Sequence, residues 1–170
     1  RARARGIRSM VGFTYRRVPA VTLLRDMIAE GAVGAVQQVR AAYRQDWLVD
    51  PEMPLAWRLQ KEHAGSGALG DIGAHIIDMT QFVTGLGVER VSGTVDTIVA
   101  ERPLPGDGSM GLAAAAGENG RGAVTVDDVA LFTGRLANGA LASFEATRFA
   151  TGRKNALTIE VSGDRGALVF

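Results

Sequence analysis

The sequence contains no cysteine and only two histidines, His63 and His75, among its 170 residues. The absence of cysteine excludes disulfides, thiolate metal sites and cysteine nucleophiles. Two histidines are too few for a histidine-rich metal cage. Lysine is scarce as well, because the basic side chains are 17 arginines and 2 lysines, and 18 acidic residues leave a net charge of +1. A charge this close to zero argues against wholesale binding of nucleic acid or of an anionic membrane.

Long apolar runs are also missing. No segment approaches the roughly 18 consecutive apolar residues that a membrane-spanning helix needs, and no charged–apolar–small pattern of a signal peptide opens the chain. We therefore expect a cytoplasmic protein. Apolar residues make up 46% and charged residues 22%, which is typical of a globular chain rather than a disordered one. The start at Arg1 and the apolar end at 167–170 suggest a piece of a longer protein.

The first part of the chain is rich in arginine, with seven before the first acidic residue, Asp26. The basic residues at 1–5 followed by Gly6 are typical of the end of a helix, and 7–13 has the pattern of a short strand. A nucleic-acid-binding arm is the alternative interpretation. No aromatic residues alternate with the arginines to stack on bases, so the helix end is preferred.

Hydrophobic periodicity predicts two helices and a series of strands. The predicted helices cover 18–30 and 67–84, and the predicted strands cover 35–43, 88–100, 124–136, 140–149, 156–162 and a final strand after the turn 163–166. Residues 46–66 are predicted as an ordered loop with a helical turn, and 101–122 as a flexible excursion. Asn138-Gly139 is a strong hairpin signal. The pattern predicts an α+β fold, with an open, largely antiparallel sheet and helices on one face.

Residues 65–78 hold the densest cluster of polar and small side chains. On a helix at about 100° per residue, two stripes form. The apolar stripe is Leu69, Ile72, Ile76, Met79 and Val83, and the polar stripe is Asp71, His75 and Asp78. One side can pack on the sheet while the other faces a cleft.

The spacing of the polar stripe has a chemical meaning. Asp71 and His75 are four residues apart, close enough on a helix to interact, and such a pair can give or take a proton near neutral pH. Asp78 could hydrogen-bond a hydroxyl or the ring. Glycines within 65–73 weaken a helix, which suggests that something approaches its backbone closely. The alternative is an amphipathic helix with a satisfied histidine and two solvated acids. A metal site made of these three residues is a weaker alternative, and we expect no metal.

Residues 65–78 resemble the G-G-G-x-L-x-D-x-G-x-H-x-x-D signature of the glucose–fructose oxidoreductase / inositol dehydrogenase / MocA (Gfo/Idh/MocA) family. Other segments resemble that family in the same order along the chain. These segments are 12–20, 30–34, 43–47, 57–58, 152–155 and 163–166. The resemblance covers most of the chain except 101–122.

The resemblance implies a fold and an activity. Members combine a Rossmann domain that binds NAD or NADP with a C-terminal domain like that of dihydrodipicolinate reductase, and they oxidise or reduce a hydroxyl of sugars, inositols and related polyols. Residues 1–13 would then end a missing dinucleotide-binding domain, and 14–170 would form the substrate-binding, catalytic and oligomerisation domain, truncated at its C-terminus. The family's Glu-Lys-Pro motif and glycine fingerprint are absent, so no cofactor-binding residue is visible. We expect this chain alone to be inactive and to bind no NAD.

The resemblance also implies roles for individual residues. His75 would take the hydroxyl proton while hydride leaves the same carbon for the nicotinamide, with Asp71 beside it in the site. Asp78 would hold substrate hydroxyls. Further candidates for the substrate-binding wall are Tyr15, Arg16, Gln45, Trp47 and Trp57. Each tryptophan could equally be plain core.

Other functions remain open at this point. A non-catalytic binding or oligomerisation module of the same fold would use the open sheet, with 124–149 as a candidate interface. A homodimer or homotetramer formed through the sheet is compatible with the catalytic reading too. A cofactor-independent metal hydrolase is the outside alternative. The choice between NAD and NADP depends on an acidic residue that the sequence does not contain at a recognisable position.

Overall fold

A computed structural model describes residues 1–106 and 116–170, without the side chains of Glu118 and Asn119. The helices are α1 (Pro19–Ala29), α2 (Lys61–Ala64) and α3 (Ala74–Thr84). The strands are β1 (Val36–Arg44), β2 (Val88–Asp96), β3 (Glu101–Pro105), β4 (Ala116–Ala123), β5 (Val129–Leu136), β6 (Leu141–Thr147), β7 (Ala156–Gly163) and β8 (Ala167–Val169). Short 3-10 turns lie at Arg3–Arg5, Thr14–Arg17 and Trp57–Leu59, and a π turn, Leu69–Gly73, runs directly into α3. In these ranges no helix has the length and apolar character needed to cross a membrane.

Six strands form one open sheet in the order β2-β5-β6-β1-β7-β8. Four of the five neighbouring pairs are antiparallel, and only β1 and β6 run parallel. The predicted open, largely antiparallel sheet is therefore confirmed. Strands β3 and β4 form a separate two-stranded sheet.

The main core lies between one face of the large sheet and helices α1 and α3. The buried strand residues are Val39, Ala41, Ala142, Phe144, Ala146, Ile159 and Val161, and the buried helix residues are Val21, Leu24, Ile28, Ile76, Met79 and Val83. Each large aliphatic or aromatic side chain buried in this way contributes about 1.5–3 kcal/mol to folding. The predicted placement of the helices on one face is thus confirmed.

The opposite face of the sheet carries alternate residues of the same strands. We call this surface the bare face, and its members include Arg40, Arg44, Leu131, Leu141, Glu145, Glu160 and Val169. Ion pairs join Arg44 to Glu145 (2.5 Å) and Arg40 to Glu160 (2.8 Å) across neighbouring strands. The bare face therefore carries paired charges on β6, β1 and β7, with apolar side chains beside them, whereas Arg90 and Arg135 lie opposite each other on β2 and β5 without an ion pair among the described residues.

Local signals explain the elements that flank the main core. Pro19 occupies the first turn of α1, where its missing N–H costs nothing. Gly31 follows the helix with φ of 84°, a conformation that favours glycine. In the hairpin between β5 and β6, the Ala140 N–H donates to Asn138 Oδ1 (3.0 Å) and Gly139 has φ of 86°. The predicted helix at 18–30 and the Asn138-Gly139 hairpin are both confirmed.

Two expectations about strands are wrong. Residues 7–13 form no strand, because none of the described residues pairs with them. The 3-10 turn before them does end at Gly6 in the left-handed conformation, as expected for a helix end. The predicted strand at 124–136 begins only at Val129. Val124 and Val126 instead pack in a second, smaller core with Leu48, Leu55 and Leu59.

The predicted flexible excursion at 101–122 is also corrected. Its first and last parts pair as β3 and β4, whereas residues 107–115 lie outside the described residues. The buried Arg102 side chain ties this hairpin to the loop before it, since its guanidinium donates to the carbonyl oxygens of Leu48 (2.6 Å) and Asp50 (2.8 Å). The prolines and glycines of this segment favour a loop. Both strands of a two-stranded sheet are edge strands, however, and an edge strand tolerates proline.

Candidate active site

Most of the predicted site residues meet at one end of the main core. Four segments bring them there: the 3-10 turn Thr14–Arg17, residues 43–47 at the end of β1, the π turn with the start of α3, and residues 147–155 after β6. Hydrogen bonds, ring contacts and ion pairs join these segments, as described below.

The π turn is anchored by Asp127, which precedes β5. The Asp127 carboxylate accepts the N–H groups of Gly67 (2.8 Å) and Leu69 (2.6 Å), and its carbonyl accepts that of Ala68 (2.9 Å). A Cβ on Gly67 would lie 1.8 Å from the Asp127 carbonyl oxygen. Something does approach the glycine-rich backbone closely, as predicted, and at Gly67 the approaching group is the chain's own Asp127.

The apolar stripe predicted for this helix is largely confirmed. Ile72, Ile76, Met79 and Val83 are buried, but Leu69 is 36% exposed. The π turn explains this exception, because its wider i to i+5 spacing shifts the residues at its start relative to an ideal helix.

His75 lies half-buried among aromatic rings. The ring centroids of Tyr15, Phe13 and Tyr43 lie 5.3, 5.7 and 6.1 Å from the imidazole, all in edge-on arrangements. Its Nδ1 atom is buried and has no hydrogen-bond partner within the described part of the chain. The rings restrict the orientation of the imidazole without occupying its nitrogens.

The expected contact between Asp71 and His75 does not form among the described residues. Asp71 instead accepts a hydrogen bond from Arg148 Nη2 at its Oδ2 atom (2.9 Å). Two physical reasons account for this correction. The wider turn changes the four-residue spacing, and the buried guanidinium of Arg148 draws the Asp71 carboxylate toward itself. Asp71 remains exposed, with 40% of its side chain accessible.

Asp78 is buried and fully engaged. Arg16 Nε donates to its Oδ2 atom (2.9 Å), and Arg16 Nη2 donates to its Oδ1 atom. The hydrogen bond to Asp78 raises the pKa of the Arg16 guanidinium. This two-pronged ion pair locks the Thr14–Arg17 turn onto α3.

A directional chain of hydrogen bonds lines the neighbouring wall. Tyr43 OH donates to Asn155 Oδ1 (2.7 Å), so the Tyr15–Tyr43 contact (2.6 Å) must use the Tyr15 proton. Gln45 Nε2 also donates to Asn155 Oδ1 (3.0 Å), and Trp47 Nε1 donates to Gln45 Oε1 (3.1 Å). Burial raises the pKa of Tyr43, which keeps it protonated as a donor.

Two residues of this wall were missed as site residues. Tyr43 and Asn155 lie in segments that resemble the family, but nothing in their local pattern marks them as polar contacts. Only the pairing of β1 with β7 brings Tyr43 opposite Leu157, and thereby close to Asn155.

Trp57 does not join the group. Its ring is 37% exposed and lies 4.5 Å from the guanidinium carbon of the adjacent Arg58. It makes no hydrogen bond or ring contact with the other predicted site residues inside 1–106 and 116–170. Trp47, by contrast, is tied to Gln45 and lies against Arg148, with the guanidinium carbon 5.3 Å from the ring centroid.

Asp46 fastens the far side of the wall. Its Oδ2 atom accepts from Lys154 Nζ (3.0 Å) and from the Gly152 N–H (3.1 Å). The hydrogen bond from Lys154 is the main cause that lowers the pKa of Asp46. This clasp holds residues 152–155, and hence Asn155, against the end of β1.

The arrangement favours an uncharged ligand rich in hydroxyls. Tyrosine hydroxyls, side-chain amides and the Asp71 carboxylate lie on the segments that meet near His75, and the Trp47 indole supplies a flat apolar surface. Across the described ranges no group of three His, Asp or Glu side chains is placed to hold a metal ion. The same described ranges also lack a glycine-rich strand–loop–helix of the kind that binds a dinucleotide pyrophosphate. The residues described therefore do not form a site for the pyrophosphate of NAD.

Comparisons with known proteins cover almost the whole chain. The C-terminal domain of the GFO/IDH/MocA family matches residues 21–169. Levoglucosan dehydrogenase of Pseudarthrobacter phenanthrenivorans is 48% identical over 162 residues, which cover 95% of this chain and 41% of the relative. A solved oxidoreductase domain protein from Kribbella flavida is 60% identical, with a TM-score of 0.88 over 99% of this chain and 43% of that one.

A structure of levoglucosan dehydrogenase in complex with NADH and L-sorbose superposes with a TM-score of 0.85 at 47% identity, over 96% of this chain and 41% of that one. The NADH in that structure agrees with the nicotinamide cofactor that the resemblance implies. The chain spans less than half the length of these relatives. The extent of the family match shows that this chain belongs to the GFO/IDH/MocA family.

Proposed function

We propose that this chain is the substrate-binding and catalytic part of a nicotinamide-dependent dehydrogenase that oxidises a hydroxyl of a sugar or related polyol. One observation carries the proposal: His75 is held edge-on among three aromatic rings, beside the exposed Asp71 carboxylate and the hydrogen-bonded wall. Under this proposal 1–13 end a dinucleotide-binding domain and 14–170 form the substrate domain.

The proposed step removes one proton and one hydride from the substrate. The substrate hydroxyl gives its proton to a nitrogen of His75, and the carbon–oxygen single bond becomes a carbonyl. Bound NAD or NADP supplies the acceptor for the hydride that leaves the same carbon. His75 therefore acts as the general base in oxidation and as the general acid in the reverse direction.

The substrate class rests on two supports. The wall residues Tyr15, Gln45 and Asn155 present hydroxyl and amide groups, which suit sugar hydroxyls. Trp47 offers a ring face that can pack against the C–H groups of a sugar. Solved relatives were obtained in complex with levoglucosan and with L-sorbose. We therefore propose a neutral monosaccharide or its anhydro form as the substrate, NAD as the cofactor, and Asp71 as the site carboxylate, while Asp78 holds Arg16 in place.

The activity is tested by joining residues 14–170 to the nucleotide-binding part of the levoglucosan dehydrogenase relative. Nicotinamide absorbance would be followed with levoglucosan, L-sorbose, glucose and myo-inositol. We expect turnover with at least one sugar, and a loss of roughly 10²- to 10⁴-fold in His75→Ala, the usual contribution of general acid–base catalysis. His63→Ala is the matched control, because His63 is exposed in α2. Normal turnover of His75→Ala would contradict the general acid–base role of His75.

Binding to this chain can be followed without turnover. The two tryptophans give two indole N–H signals in an NMR spectrum, and only Trp47 belongs to the proposed site. A sugar should shift the Trp47 and His75 signals and leave those of Trp57 and His63 in place. NAD alone should shift none of them. If the sugars move neither Trp47 nor His75, the proposed sugar site is wrong.

Assembly through the open sheet is a second proposed role, and it is compatible with the first. The observation behind it is the bare face, where Leu131 and Leu141 are 48% and 50% exposed between ion pairs. A homodimer or homotetramer would bury these side chains. Light scattering should then show an oligomer that Leu131→Glu dissociates, whereas a monomeric wild-type chain would contradict this role.

A further inference from the structure

Arg148 is an almost fully buried cation at the edge of the proposed site. It directly follows β6, and its side chain is 1% exposed. Its Nη2 atom donates to Asp71, its guanidinium lies against the ring of Trp47, and its backbone N–H donates to the Asp128 carbonyl (3.1 Å). One side chain therefore contacts two predicted site residues that belong to different segments.

We infer that Arg148 is a positioning residue, which holds the Asp71 carboxylate and the Trp47 ring in the geometry that receives the sugar. This inference rests on the proposed function. No feature of the sequence around Arg148 marked it, since its role depends on contacts with residues far away in the chain.

Asp71 and Asp78 differ in how many of their carboxylate oxygens accept hydrogen bonds from arginine. Arg16 occupies both oxygens of the buried Asp78. Arg148 bonds to Oδ2 of Asp71 alone, and Oδ1 of this exposed carboxylate has no hydrogen-bond partner among the residues described. Asp78 is therefore committed to structure, whereas Asp71 is fixed in place with one oxygen still able to accept a hydrogen bond from a hydroxyl.

The ion pair with Asp71 explains how the charged side chain of Arg148 is tolerated in a buried position. A buried cation is costly unless a carboxylate pairs with it, so the guanidinium restricts Asp71 to positions within reach. Trp47 is held from two sides, by the guanidinium against its ring and by the hydrogen bond from its indole N–H to Gln45. Both restraints reduce the freedom that the site would lose on binding a sugar.

A purely packing role is the competing explanation, and two substitutions separate the explanations. Arg148→Lys keeps the charge but fits the buried slot poorly, whereas Arg148→Met fills the slot without a charge. If Arg148 positions Asp71, sugar affinity should fall by about tenfold more in Arg148→Met than in Arg148→Lys, the scale of one charged hydrogen bond. If Arg148 only packs, Arg148→Met should bind at least as well as Arg148→Lys.

The measurement is an NMR titration of the chain with levoglucosan, read at the Trp47 indole with Trp57 as internal control, beside a thermal melt of each variant. Arg148→Met is expected to melt close to the wild type. Methionine replaces the buried arginine by an apolar side chain of similar volume, and the Asp71 carboxylate that loses its partner can be solvated because it is exposed. A loss of affinity without a loss of stability supports positioning.

Asp71→Asn is the second variant, and it decides the question even if Arg148→Met does not fold. Because Arg148 acts through the Asp71 charge, this variant should lose affinity to a similar extent. Wild-type affinity in Asp71→Asn, or equal affinities of Arg148→Lys and Arg148→Met, would overturn the inference while leaving the sugar site intact. Absence of any levoglucosan effect in the wild type would instead overturn the proposed function and the inference with it.

Discussion

The two faces of the large sheet are made from the same strands but have opposite characters. On the covered side, Phe144 is 3% and Ile159 is 0% exposed beneath the helices. On the bare face, Leu131 and Leu141 of β5 and β6 are about half exposed, and two ion pairs lie on the neighbouring strands. Successive side chains along each strand point to opposite faces, so the same strands form a core on one face and a surface suited to association on the other.

The comparison also shows where the chemistry lies. The covered side ends in the proposed site, because α3 and the π turn bring His75 and Asp71 to the end of the strands. The bare face contributes none of the predicted site residues. Fold stability and proposed catalysis thus depend on the same face, and association would use the other.

Phe144→Ala should produce the largest effect and tests the contrast directly. It removes a buried ring that stacks on Phe132 with centroids 4.7 Å apart, so unfolding free energy should fall by about 3–5 kcal/mol. Leu131→Ala on the bare face of the neighbouring strand should cost less than about 1 kcal/mol in the single chain. Urea unfolding of the two variants measures the difference. Equal losses would show that the bare face is also buried, as it would be in an oligomer.

Gly67→Ala should produce the next largest effect, because the anchor of the π turn allows no side chain at this position. The added methyl would overlap the Asp127 carbonyl, and displacing it should cost about 1–3 kcal/mol or more. Gly73→Ala is the matched control in the same turn. Its Cβ would meet no atom closer than 3.4 Å, and alanine favours a helix over glycine by about 1 kcal/mol. Thermal melts of both variants should therefore shift in opposite directions.

The Asp46 clasp should give the smallest effect on stability, and this effect should depend on pH. Because the folded-state pKa of Asp46 is lowered, its contribution to stability is present above the unfolded pKa of about 3.9 and is lost as pH falls through the folded pKa. Asp46→Asn should therefore melt below the wild type at pH 7 and approach it in strong acid. Lys154→Met should reduce the same pH dependence. A constant difference at all pH values would contradict this assignment.

Local signals in the sequence were sufficient for part of the fold. The helix at 18–30 and the Asn138-Gly139 hairpin were predicted because proline, glycine and apolar spacing act within a few residues. The paired hairpin of β3 and β4 was not predicted, because the buried Arg102 that ties it down works through contacts some fifty residues away.

The site shows the same division. The stripe of Asp71, His75 and Asp78 was visible from helical spacing, but the partners of the two carboxylates were not. Arg16 and Arg148 reach them from distant segments, and the π turn changes the spacing on which the Asp71–His75 expectation depended. Sequence periodicity thus identified the candidate side chains, while tertiary pairing decides which of them remain available.

The position of β1 in the sheet has a consequence for the order of folding. This strand is synthesised before its two neighbours, β6 and β7, which follow it by roughly 100 residues. At about 5–20 residues per second, β1 waits on the order of 5–20 s for its partners during synthesis. During this interval its apolar residues have no neighbouring strand to pair with, so the nascent chain leaves them open to contacts with other chains.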